Sequence, residues 1–413
     1  MGKTMRAIKH IKLDVYIDYT VYLLLFFYLI VDLFAGYMII TGGSSGETQL
    51  FKFLFYALII LSITAKNHKY LCFILALFTL MFFAAINVHL EQYANMVDTM
   101  SFFFRLIITP ILFFYFKLLF QKNRNHTGIL YQKIFIVNIF VFTINFILGL
   151  MGYGFASYIT GFGVKGFFHS AHLAAGVLFC FHYYILLKMN KAKLRYKIAI
   201  YVLVLFIVFS MGTKTAILSI FLFSIIDLYK TVDNKWKNIF KLVFPFMILT
   251  ISVILIQIIS NTVFFYHLYA TILRNFRYDN TLGNIINILL SGRLAQVYNW
   301  AGFYYDNFNI RILLFGLGYL VRIHGHEPME IDFFFVFFFY GIILLFIILF
   351  FYVYLLVLSY KKRNMRLFSF NLLYLVMSFT TGYVWMNVMA GVFYAYINAY
   401  ETKSFYVSKN KNF

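Results

Sequence analysis

An all-α, polytopic helical membrane protein with about 12 transmembrane helices is the fold class this sequence predicts, and three observations carry it. Of 413 residues, 63% are hydrophobic and 12% charged, too few polar side chains to coat a soluble body of this size. Apolar runs of about 20 residues recur along the chain, each long enough to cross a bilayer as a helix. Most of the 35 lysines and arginines fall in short segments between alternate pairs of runs, the pattern of cytoplasmic loops. Several soluble domains are excluded, and residues 1–413 read as one membrane domain.

The runs place spans near 19–40, 50–65, 70–89, 101–120, 131–151, 169–187, 196–211, 214–229, 239–260, 331–357, 366–380 and 383–400. Lys3, Arg6, Lys9 and Lys12 precede the first. That run is too long for a signal peptide and lacks a small-x-small cleavage site, so it reads as a retained span. The alternation of charge puts both termini in the cytoplasm and residues 261–330 outside, as one large extracytoplasmic loop. The net charge of +21 would suggest nucleic acid on a soluble protein. Here it is topology, and no nucleic-acid partner is implied. Cys72 and Cys180 both lie inside apolar runs, which argues against a disulfide or a cysteine metal site.

Two outside segments depart from the uncharged norm. Residues 152–168 carry five glycines in Gly152-Tyr-Gly-Phe-Ala-Ser-Tyr-Ile-Thr-Gly-Phe-Gly-Val-Lys-Gly166, a run that disfavours helix and lets backbone pack closely. The large loop holds Arg274, Arg277, Arg293, Arg311 and Arg322 and ends in His324-Gly-His326-Glu327-Pro328-Met-Glu330-Ile-Asp332. Within it Leu294, Val297, Tyr298, Ala301, Tyr304, Tyr305 and Phe308 recur at helical spacing. They predict an amphipathic helix over about 293–308 lying at the membrane surface, with a second short helix near 280–290. Pro328 fits the first turn of the following span, with Glu327 and Glu330 beside its N-terminus.

Outside positive charge in a positive-inside protein needs a reason. Loop arginines can bind lipid headgroups or pair with Asp279 and Asp306; as a set they match an anion, since each guanidinium presents a planar fork to phosphate oxygens. Lys214, in Ser210-Met-Gly-Thr-Lys-Thr-Ala216, is either a snorkelling helix-end lysine or part of a site. The segment has neither the glycines nor the spacing of a P-loop. His324 and His326 are either solvated loop residues or general bases. Glu330 is the runner-up base. Glu330 and Asp332, two apart on a helix starting at Pro328, point in different directions and converge only on an extended backbone. His169 and His172, three apart at the start of the sixth span, share a helical face, compatible with a metal, with packing or with substrate contact. Arg105, a buried charge near the outer end of the fourth span, is a default site candidate.

Several of these pieces are familiar together. Ser210-Met-Gly-Thr-Lys-Thr-Ala-Ile-Leu-Ser219 resembles the "SGSRTALL"-like junction of bacterial O-antigen polymerases and O-antigen ligases. Ser291-Gly-Arg293 with Trp300 downstream resembles their "SGR…W" loop segment, and His326-Glu-Pro-Met-Glu330-Ile-Asp332 leading to Tyr340-Gly-Ile342 resembles the approach to a late span with "YGI". Thr381-Gly-Tyr-Val-Trp385 with Ala390-Gly391 resembles the "GHV…AG" last span. The resemblance covers roughly the second half of the chain. It implies a GT-C-like, metal-independent glycosyltransferase without cofactor, acting on undecaprenyl-diphosphate-linked oligosaccharide at the outer face of the bacterial cytoplasmic membrane.

Carried over residue by residue, the resemblance gives Arg293 and Lys214 the donor diphosphate and His326 the acceptor hydroxyl. Beside it, the loop charges lead us to expect Arg274, Arg277 or Arg322 to complete the clamp, and His169, His172 and Trp300 to contact glycan. Lys214 stands where the family usually has Arg, which forfeits bidentate phosphate binding, and Tyr383 where it often has His. The expectation is a polymerase of O-antigen or capsule repeat units, with membrane lipid, a chain-length regulator and a flippase as partners. An O-antigen ligase, transferring polymer to lipid A core, shares the motifs. A glycan transporter is the alternative of another class; it calls for polar groups through mid-membrane, whereas the charges here cluster at one face.

Overall fold

The computed structural model describes residues 2–43, 46–91, 96–122, 124–157, 163–190, 192–231, 293–319, 329–380 and 382–409. Thirteen α-helices and one two-stranded hairpin make up these residues. In chain order they are α1 (Gly2–Ile40), α2 (Gly46–Lys66), α3 (Lys69–Glu91), α4 (Met96–Lys122), α5 (Arg124–Leu150), β1 (Phe155–Ala156), β2 (Val164–Gly166), α6 (Ala171–Lys188), α7 (Leu194–Met211) and α8 (Lys214–Thr231). Then follow α9 (Arg293–Asp306), α10 (Ile310–Phe315), α11 (Asp332–Lys361), α12 (Met365–Thr380) and α13 (Val388–Lys409).

Among the described residues seven helical stretches, in α1, α3, α4, α5, α6, α7 and α11, are long and apolar enough to cross a membrane, and α12 is a shorter apolar helix. The chain is therefore a multi-pass, all-α membrane protein. Eleven of the expected spans coincide with helices; the expected span at 239–260 lies outside the described residues, as does the short helix near 280–290. The first helix is longer than its apolar run, because the basic segment ahead of Tyr19 continues the same helix back to Gly2.

Burial sorts the helices into a centre and a periphery. Within α4 and α6, 72% and 67% of the apolar window is buried inside the protein, against 33% in α1, α3, α5 and α7. The last helix, α13, packs on both α4 and α6, and its stretch Val388–Ala399 is buried almost throughout. The peripheral helices keep a lipid-suited face, with Phe53, Phe82, Phe140 and Val202 more than half exposed.

The glycine-rich run forms the hairpin β1–β2. Asn145 on α5 pins it: its side-chain oxygen accepts from Phe167 N at 2.8 Å and its amide donates to Lys165 O at 3.2 Å. A polar side chain on an apolar helix thereby satisfies part-buried backbone groups of the hairpin segment.

The second organising device is a break in α11 at Gly341, which takes φ 76°, ψ 179° inside an otherwise helical run. Such a break releases carbonyls one turn earlier from their partners in the ladder. The carbonyls of Phe338 and Phe339 accept instead from Leu317 N at 2.9 Å and Gly318 N at 3.0 Å. A side chain at 341 would strike the Leu314 carbonyl at 2.3 Å. Asn87 of α3 donates to Gly316 O at 2.7 Å, and Tyr340 Oη to Thr99 O at 3.0 Å. These bonds stitch α10 and the segment after it to α3, α4 and α11. The short helix α10, which begins at Ile310 with an Asn309 cap accepting from Ile312 N at 2.8 Å, was not among the sequence expectations.

Candidate anion site at one end of the helix bundle

The end of α7, the start of α8, the start of α6, the helix α9, the start of α11 and the link from α12 to α13 lie at one end of the bundle. The join from α7 to α8 is as tight as expected: Gly212 closes α7 in a left-handed conformation, and Lys214 is already the first residue of α8. Its charge sits at the wrong end of a helix dipole and is exposed. Among the described residues it has no hydrogen-bond or ion-pair partner.

The helix α9 begins at Arg293, as expected. Its buried face is Val297, Trp300 and Tyr304, while Tyr298 and Tyr305 point outward at 69% and 81% exposure. The stripe read from the sequence therefore splits: the spacing was helical, but the seam that docks on α11 is narrower than the apolar one. Trp300 is 1% exposed, edge-on to Phe339 with ring centroids 4.9 Å apart, so this structure uses it to fasten α9 to α11.

The Arg293 guanidinium is the hub. Nε donates to Glu330 Oε2 at 2.7 Å and Nη1 to the Thr380 carbonyl at 3.2 Å. Nη2 lies 2.9 Å from His172 Nε2. A guanidinium only donates, so His172 Nε2 is the acceptor and its proton is on Nδ1. That Nδ1 is buried and has no partner among the described residues. The Thr380 carbonyl is at the C-terminus of α12, where a cation is favoured.

Glu330 and Asp332 part company. The helix α11 starts at Asp332, later than the Pro328 start expected, and Ile331 before it is extended at φ −85°, ψ 117°. Even so the two carboxylates do not converge. Glu330 turns to Arg293, while the fully buried Asp332 accepts from Val384 N and Trp385 N, each at 2.8 Å. Gly382 makes this possible. It sits at φ 69°, and a side chain there would fall 0.9 Å from the Glu330 carbonyl oxygen. The residue after it, Tyr383, also takes positive φ, at 57°. Burial raises the Tyr383 hydroxyl pKa above its usual value, with Tyr319, Glu330 and Asp332 adding to the effect, so it stays a neutral phenol. No group of three or more histidine, cysteine or acidic side chains able to hold a metal occurs among the described residues.

His169 and His172 are not on one helical face. Ser170 caps α6, its hydroxyl accepting from His172 N at 3.2 Å, so His169 precedes the helix. His172 faces Arg293. His169 lies by the hairpin, its carbonyl accepting from Lys165 Nζ at 2.9 Å. Burial depresses the His169 pKa, and the charges of Lys165 and Arg105 push it the same way. Lys165 also acts electrostatically on His172, and Arg293 on Lys214. Arg105 stacks over Phe102 with its guanidinium carbon 4.5 Å from the ring centroid.

Four cations, Arg105, Lys165, Lys214 and Arg293, are thus linked electrostatically through the two histidines and each other. Lys165 was missed in the sequence, although a lysine on an outside segment carries the same signal that singled out Lys214. His326, His324, Arg274, Arg277 and Arg322 lie outside the described residues. Arg311 is on α10, exposed. The fold and this end of the bundle define the class: a multi-pass helical membrane protein with a cationic, histidine-bearing end. No family model, no curated protein and no solved structure matches the chain.

Proposed function

We propose that this protein is a metal-independent glycosyltransferase that polymerises lipid-diphosphate-linked oligosaccharide repeat units, O-antigen or capsule, at the outer face of the bacterial cytoplasmic membrane. The observation that carries the reading is that Arg105, Lys165 and Arg293 act on His169 or His172 and Arg293 acts on Lys214, while among the described residues Glu330 is the carboxylate ion-paired with one of these four cations and Arg293 also acts on Asp332. A surplus of positive charge at a membrane-protein end suits a polyanionic headgroup. The sequence resemblance to the O-antigen polymerases and ligases supports the same chemistry.

In this reading Glu330 holds Arg293 in place until a donor diphosphate takes over the guanidinium. Lys214 and Lys165 neutralise the remaining phosphate charge. The acceptor hydroxyl attacks the anomeric carbon of the donor sugar. The new carbon–oxygen bond forms as the bond to the diphosphate breaks, and His326 takes the hydroxyl proton. Lipid diphosphate leaves with its charge already matched, so the step needs no metal. Purified protein in liposomes, given lipid-linked repeat units, is expected to release products of two or more units. Transfer of glycan to lipid A core without any joining of repeat units would reassign it as a ligase. Movement of glycan across the bilayer without a new bond would overturn the reading.

A further inference from the structure

A second charged cluster sits at the opposite end of the bundle and belongs to none of the chemistry above. The helix α8 runs from Lys214 at the first site to Thr231, about 25 Å away at 1.5 Å per residue. At that far end Asp227 is 1% exposed. Arg366 Nε, at the start of α12, lies 2.5 Å from Asp227 Oδ1, and Tyr201 Oη of α7 donates to Asp227 Oδ2 at 2.8 Å. Oδ2 is thus hydrogen-bonded, while Oδ1 meets Arg366 as an ion pair without a hydrogen bond.

Two further cations share its neighbourhood. Lys197 on α7 is 2% exposed, and Lys230 closes α8; each interacts electrostatically with both Asp227 and Arg366. Neither ammonium has a hydrogen-bond or ion-pair partner among the described residues. The next carboxylate, Glu401, accepts from Asn364 at 2.8 Å and acts on Lys188 and on Tyr183, which Asp227 and Arg366 also reach. Among the described residues Arg366 is matched by Asp227, whereas Lys230 and the almost wholly withdrawn Lys197 have no ion-pair partner, positive charge that a buried site does not hold unmatched.

We propose that Lys197, Lys230 and Arg366 form a binding site for the phosphate of an anionic lipid headgroup, between the ends of α7, α8 and α12. A lipid rather than a soluble phosphate is favoured by the surface beside it. On α7, Leu194, Tyr196 and Ile198 are 47%, 50% and 45% exposed next to the buried Lys197, an apolar flank suited to acyl chains. Lys193 and Arg195 on the same turn add charge at headgroup depth. The site does not rest on the glycosyltransferase reading and stands or falls apart from it.

The test uses the full chain purified in neutral detergent, with the thermal unfolding midpoint read by intrinsic fluorescence. Added phosphatidylglycerol is expected to raise the midpoint where phosphatidylcholine does not, and the K197Q/K230Q variant is expected to lose at least half of that rise. An equal rise from millimolar inorganic phosphate keeps the site but overturns its assignment to a lipid. Equal rises from both lipids, or a full rise in the variant, overturn the site itself. Should the double variant fail to fold, K230Q alone, altered at an exposed position, is compared with wild type by native mass spectrometry. Weaker retention of phosphatidylglycerol supports the site, and unchanged retention overturns it.

Discussion

Arg293 and His172 meet at 2.9 Å between Nη2 and Nε2 although 121 positions separate them in the chain. The contact ties α9, which lies within residues 261–330, to the first turn of a helix at the centre of the bundle. It also settles a tautomer, since the histidine must accept. Glu330 and the Thr380 carbonyl complete the grip. One side chain therefore holds α6, α9, α11 and α12 in register.

Replacing Arg293 with Lys keeps the charge but cannot reproduce three diverging donors from a planar fork. The variant is expected to lose about 1–3 kcal/mol, the cost of leaving buried partners unsatisfied. This appears as a lower unfolding midpoint in detergent. Chain extension in the liposome assay is expected to fall at least tenfold in R293K and to vanish in R293A, with both proteins still inserted. Polymer of normal length from R293A would remove Arg293 from the chemistry.

Asp332 reads as structural. Its carboxylate caps the turn at Val384 and Trp385 from inside the protein. Asp332→Ala leaves two backbone donors buried and unpaired, an expected loss of about 2–4 kcal/mol. Asp332→Asn retains an acceptor and is expected to cost less than half as much while keeping activity. An Asp332→Asn protein that folds with a wild-type midpoint but is inactive would show the carboxylate to be chemical after all.

The break at Gly341 has a direct test. Alanine there must hold positive φ and meets the Leu314 carbonyl, a strain on the order of 1–3 kcal/mol before any loss of the Leu317 and Gly318 bonds. Gly341→Ala is expected to unfold at lower temperature and to expose the segment around Gly316 to protease. Equal midpoints and equal cleavage would mean that the helix relaxes without the break.

His169 gives the pH dependence its sign. Burial, with Lys165 and Arg105, lowers its pKa below the ordinary 6.5. Between that lowered value and 6.5 the unfolded chain binds more protons than the folded one, so stability falls as pH drops below about 6.5. His169→Gln removes the group. Its unfolding midpoint is expected to decline less between pH 7 and pH 5 than that of wild type, and parallel curves would assign the acid sensitivity elsewhere.

Much of the scaffold was legible in the residues. Apolar run length placed eleven helices, because in a bilayer a chain must satisfy its own backbone and a helix does so locally. The glycine-rich run was readable as close-packed backbone, and Arg293 as a helix start after Ser291-Gly292. The exact starts of α6 and α11 were not readable, because they depend on caps: Ser170 puts His169 outside its helix, and the extended Ile331 delays α11 to Asp332. Trp300 could not be told from a sugar platform, since helical spacing does not say which face finds a partner.

By itself the sequence determined a many-helix membrane chain with positive charge segregated to its loops and a basic segment ahead of its first span, properties set by hydropathy and local charge. Only the tertiary structure decided that Arg293 is gripped by Glu330, Thr380 and His172, that Lys165 shares its end of the bundle, and that Asp332 serves a turn. Those contacts join positions tens to hundreds of residues apart. Their partners are chosen by which groups become buried together and must then satisfy one another, a condition that local pattern does not encode.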